Sequence, residues 1–106
     1  MDSGYNLARM RFSIVLSPEA VQDLRRLKAS HRSAVKKAIE THLRQEPRKE
    51  SKSRIKRLRG IRRPCYRLRV GDVRVFYDVT ESTVEILAVV PKSEAASWLQ
   101  SIQESL

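Results

Sequence analysis

The stretch Cys65-Tyr66-Arg67-Leu68-Arg69-Val70-Gly71-Asp72-Val73-Arg74-Val75-Phe76-Tyr77 decides the fold. Tyr66, Leu68 and Val70 alternate with Cys65, Arg67 and Arg69, and beyond Gly71-Asp72 the residues Val73, Val75 and Tyr77 alternate with Arg74, Phe76 and Asp78. A period of two on both sides of a Gly-Asp turn predicts a β-hairpin. If the sheet has one core face, the apolar set points to it, and Arg67, Arg69 and Arg74 project from the other. Three guanidinium forks on adjacent strands match the geometry of phosphate oxygens. Bundling them without counter-charge is repulsive, and within the hairpin only Asp72 and Asp78 are at hand. We therefore place anion binding ahead of a purely structural role.

Downstream, Thr83 to Val90 is apolar enough for a well-buried strand, with Glu81-Ser82 as the preceding turn and Pro91 as its stop. Ser93 is expected to cap a last helix whose Ala95, Trp98, Leu99, Ile102 and Leu106 share a face. Upstream, Arg48 to Gly60 has little apolar content beyond Ile55 and Leu58 and is expected to be a loop, with room for one helical turn. Pro47 closes a helix that carries Val35, Ala38, Ile39, His42 and Leu43 as a stripe. A short break at Ser30 to Ser33 separates it from a helix bearing Val21, Leu24 and Leu27, which Ser17-Pro18 starts with an N-cap and a proline at the first position. Phe12, Ile14 and Leu16 alternate as a first strand. The order is β-α-α-β-β-β-α: an α+β fold, with a small, twisted, mostly antiparallel sheet and a helical hairpin packed on one face. Residues 1 to 9 lack periodicity and read as a flexible tail, with Met10 a natural start; residues 10 to 106 read as a single domain.

A chain of 106 residues supports one core that buries about two thirds of the unfolded surface, with little room for a deep pocket. No stretch approaches the ~20 apolar residues of a membrane span, and Met1 to Met10 lacks a secretory apolar run. A cytoplasmic protein is expected, and Cys65 as the single cysteine agrees with a reducing compartment. The net charge is +10. Residues 48 to 74 hold twelve basic side chains (Arg48, Lys49, Lys52, Arg54, Lys56, Arg57, Arg59, Arg62, Arg63, Arg67, Arg69 and Arg74) against Glu50 and Asp72, so 12 minus 2 accounts for the whole excess. The remainder balances at ten against ten. Concentrated charge raises a local field that attracts a polyanion or an acidic protein.

The common catalytic sets are absent. His31, expected in a turn, and His42, expected on the helical stripe, have no neighbouring acid or base in sequence. There is no phosphate-cradling glycine loop, nucleophile motif or metal-ligand spacing, so neither cofactor nor metal is expected. Chemistry carried by basic side chains favours a substrate that brings its own nucleophile, as RNA does with its 2′-hydroxyl. The protein then orients the phosphate and neutralises the charge that develops on it.

Three runs carry a resemblance: Arg57-Leu58-Arg59-Gly60, the Cys65 to Tyr77 hairpin, and Val89-Val90-Pro91-Lys92-Ser93-Glu94, together with the Ser17-Pro18-Glu19-Ala20 helix start. In order and spacing they resemble the RelE/ParE toxin superfamily, and within it the RelE-like toxins of type II toxin–antitoxin systems. The resemblance spans roughly residues 10 to 100 and implies a RelE-like, microbial-ribonuclease-like fold. It also implies an mRNA interferase: a metal-independent endoribonuclease that cleaves messenger RNA on the ribosome by 2′-hydroxyl attack. Arg67 and Arg69 match two alternating basic residues that bind and activate the RNA, Arg74 the arginine that stabilises the transition state, and Lys92 a basic position after the last strand. Ser93 and Leu99 depart from the pattern, standing where the family's nucleases have an arginine and a tyrosine. Arginine stays protonated at accessible pH, so Lys92 is the better proton acceptor; its other reading is a backbone-phosphate contact.

The expected catalytic set is Arg67, Arg69, Arg74 and Lys92, and the expected RNA-binding set is Lys52, Arg54, Lys56, Arg57, Arg59, Arg62 and Arg63. The partners implied are the ribosome, messenger RNA and an acidic, RelB-like antitoxin whose amphipathic helix lies along exposed apolar and basic surface. Two alternatives stand beside this reading: a ParE-like toxin that inhibits gyrase without cutting RNA, and a non-catalytic basic RNA-binding module.

Overall fold

The computed structural model describes residues 11–105. The expected tail and Leu106 lie outside the described residues. The elements run β1 (Ser13–Leu16), α1 (Pro18–Arg26), α2 (Ala29–Leu43), β2 (Ile55–Arg57), β3 (Tyr66–Val70), β4 (Val73–Val79), β5 (Thr83–Pro91) and α3 (Lys92–Ser105). This is an α+β fold of three helices and one five-stranded mixed sheet, ordered β1-β5-β4-β3-β2. Only β1 and β5 pair in parallel, and the other three pairings are antiparallel. No described helix is long and apolar enough to cross a membrane.

Local chemistry sets the element boundaries. Ser17 accepts a hydrogen bond from the Ala20 backbone N–H at 3.0 Å, and Pro18 occupies the first helical turn, as the sequence predicts. The hairpin turn between β3 and β4 puts Gly71 at φ +57°, a left-handed conformation that glycine adopts without steric cost. The helix break differs from expectation. It falls at Leu27-Lys28, so Ser30, His31 and Ser33 lie within α2 and His31 is helical rather than in a turn. Arg32 accounts for this: its Nε donates to Leu24 O (3.0 Å) and its Nη2 to Leu27 O (2.8 Å) and Arg25 O (3.4 Å). The unsatisfied carbonyls at the end of α1 are thus capped by a residue one turn into α2.

Two further expectations are corrected. Ile55–Arg57 is a strand, not a loop or helical turn, because Ile55 is buried opposite Leu68 while its neighbours are exposed. Ser93 does not cap α3; the helix starts at Lys92, directly after Pro91 ends β5.

The principal core lies between the sheet and the α1–α2 hairpin. Leu24, Val35, Ile39 and Leu43 pack there against Leu68, Val75, Tyr77, Val84 and Ile86. Tyr66 and Tyr77 stack at 5.5 Å, and Tyr77 Oη donates to Pro47 O at 2.8 Å, which joins the end of α2 to the sheet. The sheet does not have a single core face. Phe76, Ala88 and Val90 form a second buried cluster on the opposite side, beneath Ala95, Trp98 and Leu99 of α3, with Trp98 stacked on Phe76 at 4.8 Å. A register shift between Phe76 and Tyr77 adds one residue to β5: Ala88 pairs with Phe76 but Ile86 pairs with Tyr77, leaving Leu87 as the extra residue.

Candidate functional site

The arginines predicted to share a face do so. In the β3–β4 register Arg67 lies opposite Phe76 and Arg69 opposite Arg74, so all three emerge on the α3 side of the sheet. The unexpected β2 adds a fourth cation, because Lys56 lies opposite Arg67 on the outer strand. The face therefore grades across the sheet, from the basic group Lys56, Arg67, Arg69 and Arg74 to the apolar strip of Phe76, Ala88 and Val90 under α3. Beyond that strip comes the acidic pair Asp78 and Glu85, which are also cross-strand partners.

The basic side chains differ in exposure and engagement. Lys56 and Arg69 are exposed and Arg67 is half-buried. Arg74 is only 7% exposed, and its Nη1 donates to Gly71 O (2.8 Å) and Val73 O (3.1 Å). Its guanidinium is anchored to the hairpin turn rather than standing free above the sheet. Burial, reinforced by the Arg74 and Arg69 charges, holds the Arg67 guanidinium below its ordinary pKa. The Arg67 Nε has no acceptor among the described residues. None of these four cations forms an ion pair there.

Lys92 sits at the same end of the sheet. Its backbone N–H donates to Asp72 O at 2.7 Å, tying the start of α3 to the β3–β4 turn, while its side chain is exposed.

The remaining sequence-predicted RNA contacts divide. Lys52, Arg59 and Arg62 are exposed on the segments flanking β2. Arg54 turns toward α2, with Nη1 3.0 Å from His42 Nε2. Arg57 lies opposite Tyr66, on the helical side, with its guanidinium 5.7 Å from that ring's centroid. Arg63 pairs with Asp78 at 2.5 Å and Glu85 at 3.3 Å, so its charge is neutralised within the chain. Asp78 also accepts from the Cys65 N–H at 2.6 Å. Burial and the adjacent Asp78 raise the Cys65 thiol pKa, which disfavours the thiolate.

Lys56 is the residue of this face whose position the sequence pattern does not predict; its one signal is the single apolar Ile55 between polar neighbours. Leu99 packs into the second apolar cluster. Among the described residues no group of three or more His, Cys, Asp or Glu side chains is arranged to hold a metal.

A family model described as ParE toxin of type II toxin-antitoxin system, parDE, matches residues 14–96. No curated protein matches the chain by sequence. Among solved structures, the chain is similar to E. coli toxin RelE, a double mutant in the free state, at 25% identity and a TM-score of 0.68, covering 92% of this chain and 100% of that one. It is similar to the archaeal RelE-RelB complex from Pyrococcus horikoshii at 27% identity and a TM-score of 0.64, covering 78% and 97%. The toxin-antitoxin complex RelBE2 from Mycobacterium tuberculosis gives 26% identity and a TM-score of 0.63, covering 77% and 99%.

Proposed function

The chain belongs to the RelE/ParE superfamily of type II toxin–antitoxin toxins, and from that premise we propose that it is a ribosome-dependent, metal-independent mRNA endonuclease held in check by an acidic antitoxin. The observation that supports this reading is the group Lys56, Arg67, Arg69 and Arg74: four cations on one sheet face, without a carboxylate of their own chain in ion-pair distance among the described residues. Such a group is stabilised by an anion, and the planar forks of Arg67 and Arg69 suit two phosphate oxygens. In the reaction, the RNA 2′-oxygen bonds to the adjacent phosphorus, the P–O5′ bond breaks, and a 2′,3′-cyclic phosphate and a 5′-hydroxyl result. Arg67 and Arg69 hold the phosphate in line, and Arg74, fixed by the turn carbonyls, offsets charge on the phosphorane. Lys92 in its neutral form accepts the 2′-proton, and a proton from solvent goes to the departing O5′. Lys52, Arg59 and Arg62 contact flanking backbone. Residues 10 to 106 act as one domain in this reading, in the cytoplasm, where ribosome and message are found.

A second reading, a gyrase-inhibiting toxin without nuclease activity, draws on two observations. Leu99 contributes packing rather than a hydroxyl beside the cations, and both histidines lie on α2, on the far side of the sheet. Messenger RNA cleavage in a reconstituted translation system, run beside a gyrase supercoiling assay, decides between them. We expect cleavage by the wild type, reduced about 10²-fold or more in Arg67→Ala/Arg69→Ala, with supercoiling unaffected. Inhibited supercoiling and uncut message would reject the nuclease.

A further inference from the structure

The balance of ten positive against ten negative charges outside residues 48 to 74 hides a second segregation. Arg25, Arg26, Lys28, Arg32, Lys36 and Lys37 fall within thirteen residues that contain no acid. The structure places Arg25, Arg26, Lys28 and Arg32 around the junction of α1 and α2, and Lys36 and Lys37 at the middle of α2, all on the layer opposite the Arg67 face. Two of the six are engaged. Arg32 caps α1, and Arg26 pairs with Asp23 at 3.5 Å. Arg25, Lys28, Lys36 and Lys37 are exposed and make no side-chain hydrogen bond or ion pair among the described residues. Glu40, one turn beyond Lys36, is occupied by Arg44 at 2.7 Å.

What surrounds these four cations selects their ligand. Val15 on β1 is the one large hydrophobic residue that stands exposed among the described residues, so the junction offers no apolar stripe for an amphipathic protein helix. No Phe, Tyr or Trp occurs between Ser13 and Cys65, so no ring is available for the base stacking that single-strand binders use. Charge without apolar or aromatic surface fits the phosphate backbone of a double helix. From Ala29 to Lys37, α2 rises about 12 Å, a length over which the two strands of a duplex present several phosphates. The Arg32 cap ties the start of α2 to the end of α1, so the backbone that carries the four charges is joined across the break.

We propose that the α1–α2 junction is a second, sequence-independent nucleic-acid surface that takes the backbone of a duplex through Arg25, Lys28, Lys36 and Lys37, separate from the Arg67 face. It does not require that face to be catalytic.

The test is fluorescence anisotropy with the full chain against three labelled probes: a duplex of about 16 base pairs in 2′-O-methyl RNA, which has no nucleophile, the same duplex in DNA, and one strand alone. Lys36→Glu/Lys37→Glu and Arg25→Glu/Lys28→Glu are each expected to weaken duplex binding about tenfold and to make the salt dependence shallower by roughly 2 in slope. Single-strand binding should change little. Arg67→Ala/Arg69→Ala should show the reverse pattern, with duplex binding retained. The better duplex, RNA or DNA, identifies the natural helix. Circular dichroism melts confirm that the variants fold. Duplex affinity unchanged in both charge-reversal pairs, or lost equally on the single strand, overturns the proposal. Neither result depends on whether messenger RNA is cut.

Discussion

Lys56 and Arg67 are cross-strand partners between β2 and β3, and their side chains leave the sheet on the same side. A lysine from a stretch that reads as loop thereby stands beside the arginine whose guanidinium burial and neighbouring charge disfavour most. Lys56→Ala is expected to weaken single-stranded RNA binding about 3- to 10-fold and to reduce the salt slope by roughly 1. A basic neighbour of Lys56 outside the strand serves as the control: Lys52→Ala, exposed and unregistered, should change affinity less. Equal effects in a filter-binding assay would show that total charge, not the strand register, sets affinity.

Arg74 has two duties in this arrangement. Its Nη1 bonds to Gly71 O and Val73 O support the hairpin turn, and its charge supports the anion site. Arg74→Ala is expected to lower stability by about 1–2 kcal/mol and cleavage by roughly 10²-fold. Arg74→Lys keeps the charge without the planar fork and should recover part of the cleavage. Thermal melts and single-turnover cleavage separate the two effects, and a lysine variant no better than alanine would place the loss in the turn.

Arg63 is expected to act on stability rather than on RNA. Its guanidinium bridges Asp78 on β4 and Glu85 on β5, with Asp78 largely shielded from solvent. Arg63→Ala should cost about 1 kcal/mol, a Tm decrease of several degrees, and leave RNA affinity nearly unchanged. A large affinity loss without a change in Tm would count against the internal neutralisation.

The His42 and Arg54 contact makes stability depend on pH. Burial, with the Arg54 charge second, lowers the His42 pKa from its ordinary 6.5. The unfolded chain therefore binds this proton more readily than the folded one, and stability rises with pH across the window between the depressed value and 6.5. Acidification through that window is expected to lower Tm, and the contribution is fully lost below the depressed value. His42→Gln should flatten this part of a Tm profile recorded from about pH 8 to about pH 5. An unchanged profile would assign the dependence to other groups.

The sequence discloses most of the fold where a pattern repeats. The Tyr66 to Tyr77 alternation yields the hairpin and the shared face of its three arginines, and the Ser17-Pro18 signal yields the start of α1. It fails where one long-range contact decides the outcome. A three-residue strand with one buried side chain, Ile55, has no period to detect. The helix break moves because Arg32 reaches back to the carbonyls of α1. The burial of Arg74 depends on turn carbonyls that alternation alone does not aim, and the withdrawal of Arg63 depends on Glu85, 22 residues away. Charge totals mislead for a related reason: they sum across the chain, whereas a binding partner meets only what one surface presents.

Leu87 carries a further meaning for how this fold tolerates change. Ser17 Oγ donates to its carbonyl at 3.1 Å and Asp23 accepts from the next-but-one amide, Val89 N–H, at 2.9 Å, so α1 grips the irregularity from both sides. Removing that single residue would leave Tyr77 opposite Ile86 and Phe76 opposite Ala88 in a regular ladder, with Ala88 and Val90 still facing α3; what would be lost is the carbonyl that holds Ser17. A change in length is therefore expected to be absorbed at Leu87 itself, or in the segments between Arg44 and Arg54 and between Leu58 and Pro64, rather than within the regular ladder of β5.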